Sequence, residues 1–288
     1  MARRMIESSL YLLLICVAWL VVVFPAGLTE SFLKQVLGDN LALVGHTVTG
    51  LAALVTVLLF THLFARRTFN MGLSEMGLGF TGRTWLLLGT GTAIGTAGLT
   101  VVFLAGLAFG HLVVVGIDFW SVLNRVLVLC VIVAVTEEVI FRGYLLQSLG
   151  RVFSDPLAVL LASLIYVVPY FGVFSVSPAQ PILFYLGLFA FGLVLATAYY
   201  ISQSLWLPIG IHFSWNLTEH LLGFTGRTGE TAVLLVTRVD GSAWLVGSLG
   251  TQGSVFGYLG IGLMFILLFA LRHKLKAPPL RARISSIR

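Results

Sequence analysis

Apolar residues fill this chain in runs of about 20, parted by short polar or glycine-containing connectors, and inside the runs they show no alternation of period two. A run of that length suits a helix crossing a hydrocarbon layer about 30 Å thick, and the missing alternation argues against a barrel. The pattern predicts eight spans, near 9–28, 41–64, 85–109, 119–141, 156–175, 181–201, 204–223 and 254–271. Connectors between the fourth and seventh spans are short, so these four are expected to be antiparallel neighbours. In the third span Gly91, Gly95 and Gly98 fall at i, i+4 and i+7, a smooth helix face that permits close packing.

Composition agrees with a membrane chain. It is 58% hydrophobic and 10% charged, with a mean hydropathy of +1.03; a soluble domain carries about 25% charged residues. No polar stretch is long enough to fold alone. The expected fold is therefore all-α, a polytopic membrane helix bundle over 1–271, with a catalytic-like core at about 119–223 and a basic tail at 272–288. Arg3-Arg4 before an apolar run resembles a signal peptide, but the run is long and Phe24-Pro25-Ala26-Gly27 is a poor cleavage site, so a retained first span is expected.

The charge changes the picture next. With both termini in the cytoplasm, the inner side collects Arg3, Arg4, Arg66, Arg67, Arg83, Arg142, Arg151 and the basic tail, against Lys34, Arg227 and Arg238 outside. That asymmetry follows the positive-inside rule. The net charge of +6 is thus expected to set topology and to meet anionic lipid, with no nucleic-acid partner. Cys16 and Cys130 both lie in apolar runs and form neither a disulfide framework nor a metal pattern, so packing roles are expected. The glycine-rich 224–253 segment, with its short apolar Ala232–Val236, is expected outside as an interfacial or re-entrant piece.

Candidate chemistry sits in two spans. Glu137 and Glu138 stand near the end of the fourth, and acids at membrane depth usually face a cavity or a partner. Glu138 and Arg142 are at i, i+4 and can pair, whereas Glu137 points about 100° away, free for general-base work. In the seventh span His212, Asn216 and Glu219 form one polar stripe at i, i+4 and i+7, with His220 beside it. Imidazole moves protons or binds metal, and an asparagine amide can donate to an oxyanion.

Glu137-Glu138-Val139-Ile140-Phe141-Arg142-Gly143, followed by His212-Phe213-Ser214-Trp215-Asn216, resembles the CPBP family. These are the CAAX-processing and bacteriocin-processing intramembrane proteases, also called the Abi or type II CAAX prenyl endopeptidase family. The resemblance implies peptide hydrolysis in a membrane cavity, with Glu137 activating water and His212 and Asn216 orienting it or holding the oxyanion. It implies Glu138 and Arg142 as a supporting lock, a membrane-embedded or lipidated peptide as substrate, and the cell membrane as location in a bacterial source. A divalent metal such as zinc is sometimes assigned to the family; a metal-free glutamate mechanism is the other possibility.

The family's middle motif, Phe-x-x-x-His, meets Tyr166-Val167-Val168-Pro169-Tyr170 here, and no histidine lies between His111 and His212. Tyr170 can hydrogen-bond a water or a carboxylate but is a poor base near neutrality. Three readings stay open on the residues: an intramembrane endopeptidase, a non-hydrolytic peptide-binding scaffold or bacteriocin-immunity-type protein, and a carrier using Glu137, Arg142 and His212 as a relay.

Overall fold

The computed structural model describes residues 39–117, 123–171, 179–223, 234–239 and 251–276. The expected first span, Cys16, the basic tail beyond 276 and most of 224–253 lie outside the described residues. Helices stand where the other seven spans are expected: α1 (Asp39–Phe69), α2 (Thr84–Ala108), α3 (Leu123–Glu138), α4 (Asp155–Val167), α5 (Ala179–Ser202), α6 (Trp206–Leu221) and α7 (Val255–Leu275). Four stretches, Thr47–Phe69, Thr84–Ala108, Ile182–Ser202 and Val255–Leu275, are long and apolar enough to cross a membrane. The fold is an all-α bundle, as its apolar runs require, since a helix satisfies its own backbone in a medium without water.

Two elements depart from a plain bundle. α3 runs on through a π-helical stretch, Val139–Leu145, into a last turn at Leu146–Leu149, and Leu146 N–H reaches the Phe141 carbonyl five residues back. β1 (Leu112–Ile117) pairs antiparallel with β2 (Leu235–Val239), Leu112 opposite Val239 and Ile117 opposite Leu235, with a bulge between Val114 and Gly116. β1 lies in a connector, and β2 overlaps the end of the short apolar Ala232–Val236 stretch; the pairing is an addition to the expected fold.

The glycines bring α2 and α6 together. A side-chain carbon on Gly95 would run into the Ile211 carbonyl and Ser214 Oγ, and one on Gly210 would meet the Leu88 carbonyl. Gly98 faces Gly260 and Met264 of α7 in the same way. One glycine face of α2 thus seats α6 and α7 side by side, the packing role expected of it. Free, buried Cys130 packs with Val126 against Phe213, Leu217 and Leu221 of α6.

The α1–α2 connector closes one end. Asn70, at φ 55, ends α1, and Met71 N–H returns to the Ala65 carbonyl. The π turn Ser74–Leu78 then offers carbonyls to other elements. Met76 O accepts from Gln147 Nε2 at 2.9 Å and Tyr199 Oη at 3.2 Å, and Gly77 O accepts Leu205 N–H at 2.9 Å. Arg83 Nη2 donates to the Leu275 carbonyl at 2.7 Å, tying the start of α2 to the end of α7. Arg151 stacks 4.3 Å over the Phe69 ring. Several of the basic residues thus gather at one end of the bundle.

Candidate active site

The two adjacent glutamates face different surroundings, as their 100° separation requires. Glu138 is fully buried, while Glu137 keeps 17% of its side chain exposed. Glu138 Oε1 accepts from Arg142 Nη1 at 2.9 Å, the expected i, i+4 pair. The same oxygen lies 2.9 Å from His212 Nδ1 on α6, a contact that helix spacing does not announce. Arg142 also donates Nη2 to the Gly192 carbonyl of α5 at 3.1 Å, and its guanidinium lies 4.5 Å over the Tyr166 ring. Arg142 is 1% exposed. It belongs to the π stretch, where the wider turn carries the helix past the site.

His212 is pinned from several directions. Phe191 meets its ring edge-on at 5.6 Å, and α6 is pressed against the α2 glycines. A carboxylate can only accept, so Nδ1 carries the hydrogen toward Glu138, and in the neutral ring Nε2 holds the lone pair. That nitrogen lies 3.9 Å from Glu137 Oε2. The gap is too long for a hydrogen bond and short enough for one oxygen to sit about 2.8 Å from both atoms.

Tyr170 completes the constellation. It ends a 3₁₀ turn, Val168–Tyr170, that follows α4. Its hydroxyl lies across the Glu137 carboxylate, 2.9 Å from Oε1 and 3.2 Å from Oε2. The tyrosine thus contacts the carboxylate, one of the two options its position in the sequence leaves open.

Among the predicted site residues, the structure brings Glu137, Glu138, Arg142, Tyr170 and His212 into one connected set. Asn216 is one turn past His212 on α6, half-buried, and makes no side-chain hydrogen bond among the described residues. Glu219 does not join. Its Oε1 accepts from Thr251 N at 3.0 Å and Thr251 Oγ1 at 2.8 Å, holding the turn before α7 onto α6. His220 lies about 12 Å further along α6 than His212, so neither residue replaces the missing imidazole. Tyr166, Phe191 and the Gly192 carbonyl are supports that sequence reasoning missed; the one available signal is Tyr166 four residues before Tyr170.

The donors do not fit a three-ligand zinc site. Glu138 Oε1 is held by Arg142 and His212 while its Oε2 is buried and without a partner among the described residues, and Tyr170 gives its hydrogen to Glu137, which leaves Glu137 and His212 Nε2 as the accessible pair. Catalytic zinc normally takes three protein ligands. Among the described residues no group of three or more His, Cys, Asp or Glu is placed to hold a metal.

Residues 118–218, about a third of the chain, match the family model described as Type II CAAX prenyl endopeptidase Rce1-like. All six residues predicted for the site and its support fall within that stretch. Comparison with curated proteins and with solved structures gave no match.

Proposed function

We propose that the chain, which over residues 118–218 is similar to the Type II CAAX prenyl endopeptidase Rce1-like family, is an intramembrane endopeptidase in which Glu137 activates the attacking water. The observation that carries the reading is the 3.9 Å between Glu137 Oε2 and His212 Nε2, a gap that one water oxygen can bridge. A water there gives its proton to Glu137 while its oxygen attacks the peptide carbonyl. His212 orients that water, held in register by buried Glu138. Asn216, one turn on, makes no side-chain hydrogen bond among the described residues and can offer its amide to the substrate.

The substrate class is a membrane-embedded or lipidated peptide. By the positive-inside rule, the basic end of the bundle, with Arg66, Arg67, Arg83, Arg151, Arg272, Lys274 and Lys276, is the cytoplasmic side in this reading, where it would meet anionic lipid. The competing reading is a peptide-binding member without hydrolysis, favoured by the Tyr170 hydroxyl resting on the carboxylate that must take the proton.

The test is cleavage of pooled CAAX-type and membrane-spanning peptides in liposomes, read by intact mass, for the wild type and Glu137→Gln. Product from the wild type that falls at least about 100-fold in the variant supports the reading. Peptide bound by both and cut by neither supports the scaffold.

A further inference from the structure

Acceptors crowd this site. Glu137 and Glu138 only accept while ionised, and in the neutral form of the His212 ring the nitrogen nearer Glu137 is an acceptor as well. Arg142, the strongest donor nearby, is buried and spent on Glu138 and Gly192. Hydrolysis by water attack puts negative charge on the carbonyl oxygen, and that charge needs a donor. Of the connected set, Tyr170 has a hydroxyl hydrogen in contact with Glu137, and the Asn216 amide lies one turn along α6 from His212.

We propose that Tyr170 is a catalytic hydrogen-bond donor, resting on Glu137 before reaction and passing to the carbonyl oxygen of the scissile peptide as the tetrahedral intermediate forms. The proposal rests on the hydrolase reading above. As the water oxygen bonds to the carbonyl carbon, its proton moves to Glu137 and the C=O π pair goes to the oxygen. Charge leaves the carboxylate and appears on the oxyanion. A single O–H lying across both carboxylate oxygens follows the charge without transferring its own proton. Collapse of the intermediate restores the carbonyl, breaks the C–N bond and sends the Glu137 proton to the leaving amine, so atoms and charge balance.

The surroundings suit a donor that shifts. Tyr170 is the last residue of the 3₁₀ turn that continues α4, and is half-buried. Its ring leans on Tyr166 at 5.8 Å and Phe184 at 6.3 Å. A phenol ordinarily ionises only near pH ~10, so the hydroxyl keeps its hydrogen and cannot stand in as the base. This distinguishes its task from that of Glu137.

The experiment compares wild type, Tyr170→Phe, Tyr170→His and Glu137→Gln in liposomes on the same peptide pool, with thermal unfolding in detergent as a check on folding. Tyr170→Phe is expected to lose about 100-fold in kcat, the cost of one oxyanion donor, with KM little changed. Tyr170→His, whose ring N–H can donate, is expected to recover part of that loss. Turnover by Tyr170→Phe at or above the wild-type rate overturns the proposal; a rise marks the tyrosine as a latch. Full activity in Glu137→Gln overturns the hydrolase reading instead, and silence from all four proteins on the whole pool overturns both.

Discussion

Glu138 on α3 and His212 on α6 meet through Oε1 and Nδ1 at 2.9 Å, with Arg142 bonded to the same oxygen at the same distance. One buried carboxylate oxygen therefore carries both the ion pair to Arg142, whose other nitrogen reaches the Gly192 carbonyl of α5, and the contact that sets the imidazole. Glu138 Oε2 is buried with no hydrogen-bond partner among the described residues, so the carboxylate leans entirely on one side. The site divides its labour between neighbours in sequence: Glu138 supports and Glu137 is left reachable.

That arrangement makes Glu138 expendable for neither stability nor function, by separable routes. Removing one partner of a buried ion pair costs about 3–5 kcal/mol, because the other charge stays buried and uncompensated. Glu138→Leu or Arg142→Leu alone is expected to lose that much in detergent unfolding. The double variant is expected to lose less than the sum, yet to remain inactive, because His212 still lacks its partner. Recovery of cleavage in the double variant would show that the imidazole needs no carboxylate behind it.

The glycine face supplies a second prediction. Gly95→Leu must push α6 off α2, since even one added carbon meets Ile211 and Ser214. The displaced α6 carries His212 with it, and a shift of about 1 Å at a site can cost about 100-fold in rate. Gly89, on the same helix, has open space around it, and Gly89→Ala is expected to keep activity and gain a few tenths to about 1 kcal/mol of stability. The pair separates close packing from helix propensity in one assay.

Part of this was legible from residues alone, and the division follows locality. Apolar runs locate helices, and Glu138 with Arg142 is a contact within one turn, so both can be read directly. The Gly91-Gly95-Gly98 spacing declares a smooth face but not its partners, Gly210 of α6 and Gly260 of α7. Glu138 to His212 spans 74 positions, and no periodicity encodes it. The π winding of Val139–Leu145 leaves no mark in an apolar stretch that suits an α-helix equally. β1 and β2 escape for the same reason as the Glu138–His212 contact: each is a short valine-rich piece whose partner lies far along the chain.

Glu75 gives a pH prediction outside the membrane-spanning helices. Its Oε2 accepts the Gly72 N–H at 2.7 Å, and backbone hydrogen bonds at Glu75 and Gly72, with smaller help from Arg66 and His62, hold its carboxyl below the usual value. A depressed carboxyl stabilises the fold above the unfolded value near about 4.3 and loses that contribution as pH falls through the folded value. The α1–α2 connector is therefore expected to loosen in acid, read as faster amide exchange over 70–83. Glu75→Gln should show the faster exchange already at neutral pH and no further acid step of its own. The side chain is exposed, so the effect is local and small.

The donor set makes the last prediction, which concerns metal. Zinc bound at this site would need a third ligand beside Glu137 and His212, and the available oxygen belongs to Tyr170, whose hydrogen points at Glu137. Turning Glu138 toward a metal through its unpartnered Oε2 would disturb the Oε1 that Arg142 and His212 share. Cleavage is therefore expected to survive dialysis against EDTA or 1,10-phenanthroline, and metal analysis of active protein is expected to find less than one zinc per chain. Tyr170→His changes the set, because it offers an imidazole nitrogen beside Glu137 and His212. If that variant alone becomes sensitive to chelators, position 170 decides whether this scaffold holds a metal. Loss of wild-type activity with chelator, restored by zinc, would instead require a ligand geometry different from the one these side chains adopt.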